Sequence, residues 1–107
     1  MFSGKIYKIK KGKEAQWRLW CKKINEIYRP EAIKTLQQEK NILEAFYIFS
    51  INDEYSTLGV GMGECLTPDA NNELNRKHSQ QKRECLGEEV KLEELYKIDL
   101  TSEENSF

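Results

Sequence analysis

The stretch 42–51, Ile-Leu-Glu-Ala-Phe-Tyr-Ile-Phe-Ser-Ile, is apolar at both odd and even positions. A strand with one wet face alternates, whereas a strand covered on both faces does not. This segment therefore needs a layer on each side of it, which excludes a single exposed sheet. The Asn52-Asp53-Glu54-Tyr55 turn follows, and then residues 56–64 read as a second strand, so the two form a hairpin. In that second strand Leu58, Val60 and Met62 alternate with Gly59, Gly61 and Gly63, and three glycines at period two strip one sheet face of side chains.

The covering layer is legible upstream. After Gly12, the residues Trp17, Trp20, Cys21, Ile24, Ile27 and Tyr28 fall on one stripe at a period near 3.6. Pro30 ends or kinks that helix, and residues 31–38 read as a short second helical piece. Before it, residues 5–11 alternate β-branched or aromatic residues with lysine, the pattern of a first strand. Downstream, Thr67 is the expected N-cap and Pro68 the first helical position of another helix. It runs to about Leu86, with Gly87 as its C-cap. Its apolar stripe is weak. Residues 90–100 alternate as a last strand, with Val90, Leu92, Tyr96, Ile98 and Leu100 on one face together with Glu94.

The order β-α-β-β-α-β predicts an α+β, ferredoxin-like domain over residues 1–100: a four-stranded antiparallel sheet with helices on one face. Residues 101–107 are an acidic tail, expected to fray. The other sheet face carries too much apolar surface to stay wet. Pairing two such faces gives a homodimer closed as a dimeric α/β barrel.

Composition narrows the function classes. Leu, Ile, Val and Phe number 25 of 107 residues, enough for a folded but thinly cored domain. No apolar run reaches the roughly 18 residues of a membrane span, and charge follows the first residues too soon for a signal peptide; a cytoplasmic protein without membrane partners is expected. Cys21, Cys65 and Cys85 stand with one histidine and no CxxC spacing. That predicts free thiols, no structural zinc and no cofactor.

Three short matches carry a resemblance: Gly12-Lys13-Glu14, Arg29-Pro30-Glu31, and the run Leu92-Glu93-Glu94-Leu95-Tyr96-Lys97-Ile98-Asp99. With the strand order they make the chain similar to L-rhamnose mutarotases of the dimeric α/β-barrel superfamily, and to a group of small bacterial proteins of unknown function. The resemblance implies the fold and the dimer. In mutarotases a catalytic histidine lies four residues before the aromatic of a Trp-Pro-Glu motif. Here Arg29 stands in place of that Trp and Asn25 at the histidine position. An amide cannot transfer the proton, so the activity is not implied.

Site candidates follow from residue chemistry. His78, the sole histidine, reads either as a general base near neutral pH or as a partly buried or exposed surface residue held by a hydrogen bond. Glu94 interrupts an apolar strand face and reads either as a desolvated acid–base group or as half of an ion pair with a Lys or Arg across the dimer or at a barrel mouth. Gly59, Gly61 and Gly63 either open a cavity or admit close packing of the Trp17/Trp20 helix. Tyr47, Phe49 and Tyr96 would wall a barrel cavity if the glycines face it. Residues 1–50 carry 11 Lys and Arg against 5 acids, and residues 51–107 carry 6 against 13. On adjacent first and last strands this split reads as internal complementarity rather than a nucleic-acid footprint, which needs one continuous basic surface. The sequence thus predicts a dimeric α/β-barrel protein that binds a small molecule. A cofactor-free isomerase or monooxygenase, or a structural dimer with a filled barrel, are the alternatives.

Overall fold

The tryptophan stripe folds as a helix. In the computed structural model, which describes residues 1–100, α1 spans Glu14–Glu26 and buries Trp17 and Trp20. The chain turns at Ile27 and Tyr28 and resumes as α2, Arg29–Gln38. Pro30 sits in the first turn of α2, where its missing N–H would have had no helical partner. The remaining elements are β1 (Phe2–Ile9), β2 (Asn41–Ile51), β3 (Glu54–Gly63), α3 (Glu73–Cys85) and β4 (Leu86–Val90). All pairings are antiparallel and the sheet order is β2-β3-β1-β4, as in a ferredoxin-like α+β fold. The β2–β3 hairpin closes through Asn52 and Asp53, both with positive φ (52° and 63°), a two-residue turn that Asn and Asp tolerate.

Register decides which side chain faces which layer, because cross-strand partners share a face. Phe46 pairs with Gly59, Ile48 with Thr57, and Thr57 with Tyr7. Phe46, Ile48 and Tyr7 pack against the core of Ile9, Trp17, Trp20, Cys85 and Leu86, so this is the helix side. Their sequence neighbours take the other side: Tyr47 opposite Leu58, Ala45 opposite Val60, Ile6 opposite Leu58. No element among the described residues covers that side, and Phe2, Leu43, Tyr47 and Met62 stand exposed on it. Both parities of β2 are therefore apolar for different reasons: one fills the core, and the other forms a bare apolar sheet face.

Four expectations need correction. The first strand begins at Phe2 and ends at Ile9, earlier than residues 5–11. The third helix starts at Glu73, not Pro68. Asn72 is its N-cap, accepting from the Asn75 N–H, while Asp69 caps the Asn71 N–H in the preceding loop. Local side-chain bonds of this kind compete with helix. Gly87 is not a C-cap: Leu86 leaves the helix directly in an extended conformation and opens β4, which contains Gly87. β4 stops at Val90, so residues 91–99 are not the strand that alternation suggested, and they carry no regular structure. The tail 101–107 lies outside the described residues.

Candidate functional site

The glycine face of β3 turns toward the helices. At Gly59 the space is taken: an added Cβ would lie 2.6 Å from the Phe46 ring. That ring meets Trp17 edge-on at 5.6 Å and His78 at 5.8 Å. At Gly61 a Cβ would touch only the Leu43 carbonyl, at 3.8 Å. The packing at Gly59 thus comes from Phe46 on the neighbouring strand and not from the Trp17/Trp20 helix, and two residues on, at Gly61, the space is open. Gly63 answers a backbone requirement instead. Its φ is 133°, and a Cβ there would fall 2.5 Å from the Lys40 carbonyl and the Asn41 Cα.

The space at Gly61 is part of a cleft of about 400 Å³ between the sheet and helices α2 and α3. Asn75, His78, Ser79 and Lys82 of α3 line it, at the i, i+3, i+4, i+7 spacing that places them on one helical face. Thr35 and Glu39 come from α2, and Lys5, Glu44 and Gly61 from the sheet floor. A second hollow of about 610 Å³ lies between α1, α2 and β2, lined by Asn25, Arg29 and again Glu44. In it the Arg29 guanidinium donates to Asn25 Oδ1 at 2.8 Å.

His78 is held between aromatic rings, with centroids 6.1 Å from both Trp17 and Trp20. Trp20 Nε1–H donates to its Nδ1 at 2.9 Å. That bond assigns the neutral tautomer, with the proton on Nε2 as a donor. Burial, and secondarily the Lys82 ammonium one turn on, lower its pKa to about 4. At neutral pH His78 is therefore an uncharged donor and not the base that its residue type suggests.

The carboxylate behaves oppositely. Glu44 reaches water through the cleft mouth, yet the surrounding walls remove enough solvent to raise its pKa, while Lys82 pulls it back. Burial and the Glu44 charge raise Glu39 as well. The cleft thus combines a hydrogen-bond donor, an ammonium and a carboxyl whose charge is partly destabilised, the ingredients for holding a small polar molecule and for moving a proton. Sequence reasoning missed Glu44, although it is the one charged residue in the run 42–51. It also missed the polar stripe of α3, because an amphipathic helix is ordinarily judged by its apolar side.

The other predicted residues lie elsewhere. Tyr47 and Phe49 are on the bare sheet face, away from the cleft. Glu94 and Tyr96 belong to the segment beyond β4, both exposed, so Glu94 does not point from a strand into an interior. Part of the basic charge of the first half is used locally: Lys8 lies 3.8 Å from Glu88 on the neighbouring strand, and Lys10 Nζ donates to the Arg83 carbonyl at 2.7 Å. Cys21, Cys65 and Cys85 are free thiols. No described helix is long and apolar enough to cross a membrane.

A protein-family model matches residues 5–103, nearly the whole chain. The chain belongs to a family of unknown function, DUF6176. No curated protein and no solved structure matches it. The DUF6176 match continues beyond β4 through the exposed segment, which makes that segment part of the family's pattern.

Proposed function

We propose that this protein binds a small polar molecule in the cleft beneath Gly61 and works as a homodimer joined through its bare sheet face. The observation that carries the ligand reading is the convergence of Glu44, His78 and Lys82 on a cleft of about 400 Å³ floored by a glycine with room beside it. The volume suits a metabolite-sized ligand. Such a ligand would offer a donor to Glu44 and acceptors to Lys82 and the Nε2–H of His78, as a hydroxylated or carboxylated compound does. The ligand site is therefore on the helix side and not inside a barrel. The bare face bears Leu58, Val60, Met62 and Phe49, side chains that would fill the space between two paired sheets. Dimerisation is supported by the extent of that apolar face.

The second reading is a cofactor-free enzyme of the isomerase or monooxygenase kind, favoured by the raised pKa of Glu44 beside Lys82. Glu44 would be the proton-transfer group and His78 a hydrogen-bond donor to developing negative charge. A mutarotase-like activity would have to run through Glu44, since the resemblance would set Asn25 at the histidine position and Arg29 at the tryptophan position.

A thermal-shift screen of small polar metabolites on the wild type and on Gly61→Leu tests the binding reading. Compounds that raise Tm in the wild type and not in Gly61→Leu support it, because the leucine enters the cleft and its Cβ makes no more than an ordinary 3.8 Å contact with the Leu43 carbonyl. Compounds that act equally on both, or a complete absence of hits, overturn it. Among binders, conversion by the wild type that Glu44→Gln abolishes, with binding retained, marks the enzyme.

A further inference from the structure

Residues 91–100 form an arm beyond β4. Leu92, Leu95, Tyr96, Ile98 and Leu100 are 56%, 84%, 82%, 73% and 70% exposed. The radius of gyration is 15.3 Å, against about 13 Å for a compact chain of this length. The arm is nonetheless patterned: Leu92, Tyr96, Ile98 and Leu100 share the parity of Val90, which pairs with Ile6 on the bare sheet face. Continued as a strand, the arm would present these four side chains on that same face.

Its own sheet cannot accept them. Extending the Ile6–Val90 register places Leu92 opposite Gly4 and Glu94 opposite Phe2, where β1 ends. Tyr96, Ile98 and Leu100 overhang the sheet with no strand beside them. At the opposite edge β2 runs 11 residues, Asn41–Ile51, with its outer backbone groups unpaired in the sheet. A long apolar edge of this kind normally demands a cover. The overhang and the uncovered edge are complementary features of one chain, so a two-fold axis satisfies both at once.

We infer that the arm of one copy adds as a strand to the β2 edge of a second copy, its Leu92, Tyr96, Ile98 and Leu100 closing the apolar layer between the two sheets. The inference rests on the homodimer reading and names the element that locks it. The arm's inclusion in the family match agrees with a structural role.

Light scattering across a dilution series, with the full chain and with the triple variant Leu92→Asp/Tyr96→Asp/Ile98→Asp, tests it. The expected result is a wild type of twice the 12.6 kDa chain mass. The triple variant should show at least tenfold weaker association and an unchanged circular dichroism spectrum. A dimeric wild type whose association the triple variant leaves unchanged overturns the arm inference and spares the sheet-face dimer. A monomeric wild type overturns both. Should the variant misfold, hydrogen exchange on the wild type decides: arm and β2 amides that are protected, and lose protection on dilution, support the inference, while arm amides exchanging at random-coil rates in the dimer refute it.

Discussion

Lowering the pH should destabilise this protein through His78. In the folded state burial and Lys82 hold its pKa at about 4, below the ordinary 6.5, so between those values the unfolded chain binds the extra proton. Stability is then complete above pH 6.5 and is lost as pH falls toward 4. The lowered pKa corresponds to a loss of about 2 kcal/mol at pH 5 and about 3 kcal/mol at pH 4, relative to pH 8. In a domain of this size that is a fall in Tm of about 8–15 °C at pH 5. Glu39 and Glu44 act in the opposite sense, because their raised native pKa values add stability at low pH that fades as pH rises through them. Comparing the wild type with His78→Gln over pH 4–8 removes their contribution, since both proteins carry them. Glutamine keeps an acceptor for Trp20 Nε1 and has no proton to take up. The expected outcome is a steeper loss of Tm with acid in the wild type. Tryptophan emission offers a second reading, because a protonated imidazole beside Trp17 and Trp20 quenches it, with a midpoint near pH 4. Identical pH profiles for the two proteins, or an emission midpoint near 6.5, would refute the burial argument.

Three further outcomes are expected. Asn72→Ala should cost about 1 kcal/mol of stability in urea unfolding, while Thr67→Ala stays near neutral, since only Asn72 caps α3; equal losses would place the cap elsewhere. Gly63→Ala should cost about 3 kcal/mol or more, from positive φ and contact with the backbone of Lys40 and Asn41, and a stability within 1 kcal/mol of wild type contradicts the strained geometry. Cys85 is fully buried and burial pushes the Cys21 thiol up to about 11, so at pH 8 neither should react with a thiol reagent until the chain unfolds; mass-mapped labelling of the native protein checks this.

Some of this architecture is written in local sequence. Trp17, Trp20, Cys21 and Ile24 repeat at helical period, Asn52-Asp53 tolerates positive φ, and Pro30 fits only a first helical turn, so α1, the hairpin and the start of α2 follow from backbone chemistry within a few residues. The alternation in residues 90–100 is equally regular, but the sheet does not extend that far. A strand needs a neighbour, and β1 ends at Phe2 before the arm's second half could pair. The helix-start signal at Thr67-Pro68 likewise lost to Asn72 and to the side-chain bonds of Asp69.

The candidate site is almost wholly a product of tertiary structure. Sequence determined that three glycines alternate through β3, that Glu44 is the lone charge in β2, and that one histidine exists. It did not determine that the register sets Gly59 and Gly61 on the helix side and Tyr47 on the bare side, because a slip of one residue would exchange the two faces. Nor did it determine that Trp20, 58 residues from His78, donates to its ring and converts the residue best suited to act as a base at neutral pH into a neutral donor. Side-chain identity limits the chemistry a residue can do. The solvent and partners that choose among those options come from chain segments far apart in sequence, and only folding brings them together.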